Sequence, residues 1–245
     1  MTDCRFHLQQ SVPTLMKNPS MCGRYTIAKV PTSRKVINPD SALLDLKPRY
    51  NVAPSQYALV QPQAHPAETH WYRWGLVPAW AKDEKMGNQL INARSETLTE
   101  KPSFREAIHT RRCVVIADGF YEWKKTLAGK VPHWISLSEG QSFGFAGLSE
   151  HWQSPGGKSV HSFTIITTEP NELMRDIHNR MPAILHPEDA ATWLEADLPI
   201  ADALALLRPY PANLMRAHPV SPRVGNVRND DPSLILPMEP PLSLF

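Results

Sequence analysis

The sequence predicts a single α+β domain with largely antiparallel strands, and three observations support this. Short segments rich in β-branched and aromatic residues outnumber segments with helical patterns. The 24 prolines are spread along the chain, which breaks it into short elements and argues against a helical bundle. With 245 residues, 42% hydrophobic and 20% charged, the chain can bury a substantial core.

Local patterns predict six strands and four helices. The strands are expected at residues 24–30, 57–61, 113–117, 133–137, 143–148 and 162–168. The helices are expected at 103–109, 169–177, 187–194 and 200–207, two of them opened by a proline in the first turn. Residues 1–20 lack periodicity and the apolar run of a secretory signal, so we expect a leader that is absent from the mature protein. The domain is then expected to span 21–236, with an irregular tail at 237–245.

Composition limits the compartment and the partners. A net charge of +2 and a pI near 8.4 allow a nucleic-acid partner without demanding one. Three cysteines without a C-x-x-C spacing argue against disulfides and zinc and favour a reducing cytoplasm. No apolar stretch approaches the roughly 20 residues of a membrane span. The ten histidines show no ligand spacing, so neither a metal nor another cofactor is expected.

Met21-Cys22-Gly23 resembles a second start of the protein. If Met21 initiates translation and is trimmed, Cys22 carries an α-amine and a thiol on adjacent carbons. An α-amine has a pKa of about 7.7–8.0, so a useful fraction is nucleophilic at neutral pH. Amine and thiol can then add to one aldehyde, first as an imine and then as a thiazolidine ring. The alternative is an ordinary buried cysteine before a glycine turn.

Asp118-Gly119-Phe120-Tyr121-Glu122-Trp123 follows an apolar strand. An acidic side chain among aromatics at such a junction has its pKa raised by desolvation and can serve as a general acid or base. The alternative is an Asp-Gly hairpin turn with Glu122 facing solvent.

His178 ends a predicted helix, where the helix dipole favours the protonated imidazole and permits proton donation near pH 7. Its alternative role is to cap the last carbonyls of the helix. Asn92 and Arg94 lie on one face if their segment is extended, and could hold a sugar hydroxyl and a phosphate. The alternative is a turn asparagine beside a solvated arginine.

The segment from Trp71 to Trp80 interleaves aromatics with Arg73, as in a base-stacking platform for single-stranded nucleic acid. Core tryptophans are the alternative for two of its three indoles. Basic residues within or beside these motifs suggest a basic groove around the site: Arg49, Arg73, Arg94, Arg111, Lys124, Lys125 and Arg180.

Eight ordered segments closely resemble the SOS response-associated peptidase (SRAP) family, whose members are known as abasic-site processing proteins. They are MCGRY, YNVAPSQ, RWGLVPAW, INARSET, RRCVVIADGFYEW, FAGLSE, IHNRMPAIL and HPVSPRVGNV, and they run from Met21 to about Asp231. The resemblance implies one SRAP-type domain with a β-barrel-like core, peripheral helices and a groove for single-stranded DNA.

The resemblance also implies residue roles. Cys22, once N-terminal, would form a thiazolidine with the ring-opened aldehyde of an abasic deoxyribose. Asn92 would orient the sugar, Glu122 would transfer protons, and His178 would protonate the sugar during ring opening. The DNA contacts would come from Arg94, Arg180, Arg24 and Arg73, with Trp74 near the displaced bases.

The leader conflicts with this chemistry, because it would acylate the amine of Cys22. We therefore expect either a start at Met21 or removal of the leader. The expected protein is a monomer, cytoplasmic and associated with the nucleoid, that cross-links itself to abasic sites and has lyase and autopeptidase activities. Two alternatives stay open at this point: an N-terminal cysteine hydrolase or peptidase, and a non-catalytic reader of modified DNA bases.

Overall fold

The computed structural model describes residues 23–29 and 46–238. These residues contain thirteen strands: β1 (Tyr25–Ile27), β2 (Arg49–Val52), β3 (Tyr57–Pro62), β4 (His70–Trp74), β5 (Asn92–Arg94), β6 (Arg112–Ala117), β7 (Gly119–Thr126), β8 (Gly129–Leu137), β9 (Phe143–Gln153), β10 (Ser159–Thr168), β11 (Met181–Pro182), β12 (Ile184–Leu185) and β13 (Met215–Pro219). Four short helices accompany them: α1 (Ala107–Thr110), α2 (Glu172–Arg175), α3 (Asp189–Trp193) and α4 (Ile200–Ala205). Five 3₁₀ turns complete the described elements: Glu84–Gln89, Ser95–Thr97, Ala212–Leu214, Pro222–Gly225 and Pro232–Ile235.

The strands form two sheets. The first is antiparallel, in the order β13-β8-β7-β1-β2. The second has the order β11-β10-β4-β3-β6-β9-β12, and pairing of β9 with β10 closes five of its strands into a barrel. Strand β10 runs parallel to β4 and β5, so the barrel is mixed. The structure therefore confirms the predicted α+β class and barrel-like core.

The two sheets share one hydrophobic core. Tyr25 on β1 packs edge-on against Trp74 on β4, with ring centroids 5.1 Å apart, and against Phe145 on β9 at 6.0 Å. Phe120 on β7 also meets Phe145 at 6.0 Å. Burial of such aromatic groups dominates core energetics, so β1 and β7 are held firmly against the barrel.

A second apolar cluster lies outside the barrel, where α1, α3 and α4 pack against β6 and β9. The buried Arg112 joins these helices to β6. Its guanidinium donates to Trp193 O at 2.7 Å, Ile108 O at 2.8 Å and His109 O at 3.1 Å, and also to Glu195 O. Burial lowers the pKa of Arg112. One arginine thus satisfies carbonyls at the ends of α1 and α3, which helix geometry leaves without partners.

All six predicted strands exist. The strand predicted at 24–30 is shorter than expected, since β1 covers only Tyr25–Ile27 and residue 30 lies outside the described residues, whereas the other five are longer than expected. The predicted helices are too long. The helix predicted at 169–177 is only α2, because Asn171 has an extended backbone and caps the helix by accepting from Met174 N at 2.9 Å. Residues 1–20 and 239–245 also lie outside the described residues. No helix among the described residues is long and apolar enough to cross a membrane.

A row of aromatic rings lines the end of the barrel where β4 and β10 begin. Successive ring centroids are 5.4, 6.1, 5.0 and 4.5 Å apart along the row, which consists of His65, His70, Tyr72, His161 and His151. The pKa of His161 is lowered by burial and further by the charges of His151 and His70. The imidazole of His161 in this row therefore favours the neutral form.

Candidate active site

The candidate active site is built around Glu122 on β7. The side chain of Glu122 is only 3% exposed. In the β1–β7 ladder Tyr25 faces Phe120 and Thr26 faces Gly119, and Tyr121 N donates to Arg24 O at 3.0 Å. The next step of this register brings Gly23 opposite Glu122. Cys22 itself lies outside the described residues, and Gly23 follows it directly in the sequence.

Asp118 lies at the other end of β1 and has a structural role. It accepts hydrogen bonds from the Thr26 hydroxyl at 2.5 Å and from the backbone N–H groups of Ala28 at 2.9 Å and Lys29 at 2.8 Å. Burial raises the pKa of Asp118 despite these bonds. The alternative of an Asp-Gly hairpin turn is wrong, because β6 and β7 belong to different sheets and Asp118 is buried between them.

Asn92 and Arg94 lie on one face of β5, as expected for an extended segment. Asn92 is half-buried, Ala93 points to the opposite face and is buried, and Arg94 is exposed. Strand β5 runs parallel to β10, with Asn92 beside Ile165 and Arg94 beside Thr167. Arg94 makes no ion pair with the described part of the chain.

His178 follows the end of α2. Its backbone N–H donates to Met174 O at 2.7 Å, and its ring Nδ1 accepts from Arg180 N at 3.3 Å. An accepting Nδ1 assigns the proton of the neutral ring to Nε2. Burial lowers the pKa of His178, and the charges of Lys125 and Lys130 lower it further. The expected rise of this pKa from a helix dipole is therefore wrong, because α2 is a single turn.

Arg180 is engaged inside the protein. Its two terminal nitrogens bind both oxygens of the Glu96 carboxylate at 2.5 and 2.8 Å, and Nη2 also donates to Thr167 O at 2.6 Å. The Arg180 side chain is 14% exposed, and the hydrogen bonds from Arg180 lower the pKa of Glu96. Contact between Arg180 and a phosphate would require this pair to open.

Arg24 and Arg73 are also held by the protein. Arg24 is half-buried, donates to Gly225 O at 3.3 Å, and has its pKa lowered by burial. Arg73 donates to Asn88 Oδ1 at 2.7 Å and to Ser55 Oγ at 3.2 Å. Each retains some surface, but neither projects freely into solvent.

The prediction that Trp74 contacts bases is wrong. Trp74 has no exposed surface, stacks on Phe163 at 6.3 Å, and donates from Nε1 to Ile91 O at 2.9 Å. The exposed tryptophans of this segment are Trp71 at 47% and Trp80 at 58%. The alternation of side chains along β4 could have distinguished Trp74 from Trp71, because residues 70, 72 and 74 share the face turned towards the core and residue 71 lies on the other face.

The expected basic groove is reduced to a few cations. Arg49 pairs with Asp230, Arg111 with Glu150, and Arg180 with Glu96. Four of the predicted groove residues have no ion-pair partner within the described ranges: Arg73, Arg94, Lys124 and Lys125. Within those ranges, no group of three or more His, Cys, Asp or Glu side chains could hold a metal ion.

The model of the SOS response associated peptidase (SRAP) family matches residues 21–227, so the chain belongs to this family. It is 46% identical over 221 residues to the abasic site processing protein YoqW of Bacillus subtilis, covering 88% of this chain and 99% of that protein. It is 38% identical to the abasic site processing protein HMCES of Gallus gallus, covering 68% of this chain and 56% of that protein. A solved protein structure from Bacteroides thetaiotaomicron superposes with a TM-score of 0.80 at 28% identity, over 89% of this chain and all of that one.

Proposed function

We propose that this protein processes abasic sites in single-stranded DNA by forming a thiazolidine cross-link through an N-terminal Cys22. The single observation that carries the proposal is the buried Glu122 carboxyl on the strand that pairs with the residues directly following Cys22. A positioned carboxyl group next to an α-amine is suited to the proton transfers of imine chemistry. The names of the relatives supply the substrate class.

The proposed reaction balances with the loss of one water. The deoxyribose ring of the abasic nucleotide opens to an aldehyde, moving the hydroxyl proton of C1′ to the ring oxygen. The Cys22 amine adds to C1′, and the carbinolamine loses water to give an imine. The thiol sulfur then adds to the imine carbon while its proton passes to nitrogen, closing the thiazolidine. The imine also labilises the neighbouring C–H bond, so β-elimination (lyase activity) is a natural side reaction.

Three side chains divide the proton and positioning work. Glu122 removes a proton from the attacking amine and returns one to the departing hydroxyl, in a site with little access to water. His178 protonates the ring oxygen as the sugar opens. Its lowered pKa makes the protonated ring scarcer at pH 7 but a stronger acid. Asn92 holds a sugar hydroxyl from the half-buried face of β5.

The DNA strand follows the exposed cations. Arg94 is exposed two residues from Asn92 on the same face, so it can contact the phosphate next to the reacting sugar. Arg180 joins it only if Glu96 releases the guanidinium. Trp80, with 58% of its surface exposed, takes the base-stacking role first assigned to Trp74. We propose that one monomer suffices, since each of these residues comes from one chain.

The decisive experiment compares two N-termini. Protein started at Met21 should give a heat-stable adduct with abasic single-stranded DNA. Protein with one alanine between Met21 and Cys22 should give none, because an amide nitrogen is delocalised into its carbonyl and cannot form an imine. Both variants keep the thiol, which alone gives only a reversible hemithioacetal. A heat-stable adduct from the alanine-extended protein would overturn the aminothiol mechanism and point to Lys124 or Lys125 as nucleophile.

Glu122→Gln tests the carrying observation directly. The amide is nearly isosteric but cannot accept the proton, so adduct formation should slow by about 10²–10⁴-fold. Affinity for intact single-stranded DNA should stay close to that of the wild type. Equal cross-linking rates at saturating abasic DNA would remove Glu122 from the mechanism.

The family description favours a second activity, autocatalytic removal of the residues before Cys22. In this reaction the Cys22 thiol would attack the carbonyl carbon of Met21, which breaks the Met21–Cys22 amide bond, frees the amine with the thiol proton passing to nitrogen, and leaves a thioester. Water would then hydrolyse the thioester, releasing the leader as a carboxylic acid and restoring the thiol. Intact-mass measurement of protein expressed from Met1 tests it. A mass beginning at Cys22 supports cleavage, provided that a Cys22→Ala variant keeps its leader; a wild-type mass that retains the leader removes this activity.

A further inference from the structure

The β7–β8 hairpin carries a row of lysines beyond Glu122. The ladder pairs Glu122 with His133 near its base and Thr126 with Gly129 at its end. One step before that end, Lys125 stands directly opposite Lys130, and both are exposed. Lys124 lies two residues from Glu122 and therefore on the same face of β7. Lys125 and Lys130 therefore lie on the opposite face, as an exposed pair of cations near the end of the hairpin.

This lysine pair is unfavourable in the protein alone. Like charges directly opposite each other on antiparallel strands destabilise the pairing. The described residues offer Lys125 and Lys130 no carboxylate partner, whereas the nearby Arg180 has one in Glu96. Two ammonium groups on directly opposite strand positions repel each other until an anion lies between them. The repulsion would be relieved by a ligand with several negatively charged oxygens.

The pair also lies close to the candidate pocket. The charges of both Lys125 and Lys130 act on His178, which in turn accepts a hydrogen bond from Arg180 N. Both lysines therefore lie within electrostatic range of His178, and no acidic side chain among the described residues is bonded to either of them. An extended polyanion that enters the pocket past His178 would pass close to the pair.

We propose that Lys125 and Lys130 form a binding site for a phosphodiester group of the DNA strand, one step outside the pocket that holds the reacting sugar. The inference rests on the proposed function for the identity of the strand. Lysine suits this role because its ammonium is a compact point charge that tolerates varied phosphate orientations. The site adds affinity for the DNA backbone without reading its sequence.

The test uses an intact single-stranded oligonucleotide without an abasic site, titrated by fluorescence anisotropy over a range of salt. The Lys125→Gln/Lys130→Gln double variant should reduce the slope of log affinity against log salt by about 0.7, the value for one phosphate contact with a single strand, and each single variant should lose part of it. The same slope corresponds to about fivefold weaker binding near 0.1 M salt, taking about 1 M as the reference. A double variant whose slope and affinity equal those of the wild type would overturn the proposal.

Lys158→Gln is the matched control. It removes the same charge, but Lys158 lies next to β10 at the end of the barrel away from Thr167, and its Nζ is 2.5 Å from Glu84 Oε2. Its salt slope should equal that of the wild type. If Lys158→Gln lowered the salt slope as much as the hairpin variants do, total charge and not the lysine pair would set the affinity. That result would overturn the proposal.

Thermal unfolding separates this role from a structural one. Removing either charge of the pair relieves repulsion, so each single variant should unfold at the wild-type temperature or above it while binding DNA more weakly. A variant that binds weakly and also unfolds earlier would overturn the proposal. If inorganic phosphate stabilises the wild type but not the double variant, and the DNA slopes are equal, the site takes free phosphate and the DNA assignment is wrong.

The outcome is independent of the cross-linking proposal. Intact DNA offers no aldehyde, so the salt slopes measure only backbone contacts. If abasic DNA gives no adduct while the lysine variants still lose slope, the proposed function fails and the phosphate site stands. If adducts form and the slopes do not change, the reverse holds.

Discussion

Replacing Arg112 by methionine should destabilise the fold more than any surface substitution. Methionine keeps much of the volume but removes the donors to four carbonyls, those of Ile108, His109, Trp193 and Glu195. A buried acceptor left without a partner costs about 1–3 kcal/mol. The bonds to Trp193 O and Ile108 O are fully buried, while the other two carbonyls are partly accessible to water.

Counting the two buried carbonyls alone gives about 2–6 kcal/mol. Relief of the desolvation that lowers the pKa of Arg112 offsets part of this, so we expect a loss of about 3 kcal/mol in the free energy of unfolding. For a chain of this size, that is a fall in Tm of about 6–12 °C. Urea unfolding followed by circular dichroism gives the free energy, and a scan gives the Tm.

The neighbouring Arg111 supplies the control. Arg111 pairs with Glu150 at 3.2 Å, with side chains 37% and 10% exposed, and Glu150 keeps a hydrogen bond from His151 N at 3.0 Å, so Arg111→Met should cost only about 1 kcal/mol. An Arg112→Met variant as stable as Arg111→Met would refute the reasoning. It would mean that water satisfies the four carbonyls as well as the guanidinium does.

Three further predictions concern charge and protonation. His178→Ala should slow adduct formation and its reversal more at pH 7.5 than at pH 5.5, because solvent supplies more of the proton in acid; a deficit independent of pH would leave His178 only a positioning role. Arg94→Ala should lower the salt slope of single-strand binding by about 0.7, and Arg180→Ala by less because Glu96 neutralises it; an unchanged slope for Arg94→Ala would contradict its phosphate contact. The folded-state pKa of His161 lies below its unfolded value, so the unfolded state binds more protons as pH falls and the free energy of unfolding should decline below about pH 6.5. Unfolding measured as a function of pH should show a less steep decline in His161→Gln. Equal slopes in both proteins would contradict this prediction.

Local patterns predicted the elements better than their contacts. The strand at 113–117 was recognisable because five apolar residues in a row can be buried on both faces of a sheet. The length of α2 was overestimated because Pro170 is typical of a first helical turn. The actual N-cap is Asn171, whose side chain accepts a hydrogen bond from Met174 N. That choice between neighbouring caps depends on packing, which the sequence does not display.

The sequence motifs identified the candidate site residues, but they did not predict the burial, the ion pairs or the pKa shifts of these residues. The pair between Arg180 and Glu96 spans 84 residues, so no local pattern reveals that this arginine is occupied. Burial of Trp74 depends on stacking against Phe163, which lies on β10, much later in the chain. The lowered pKa of His178 arises from burial and partly from Lys125 on β7 and Lys130 on β8, which are distant in the sequence. Such properties belong to the tertiary structure.

Strand β10 has a consequence for how the protein is made. It is the common partner of β4, β5, β9 and β11, and the first two lie parallel to it, so their edges stay unpaired until residues 159–168 have been synthesised. Open strand edges recruit other chains, and closure over such distances is slow. We therefore expect chains that stop before Thr168 to aggregate and not to fold into a smaller domain. Nearly the entire barrel must be synthesised before its strand edges are protected from pairing with other chains.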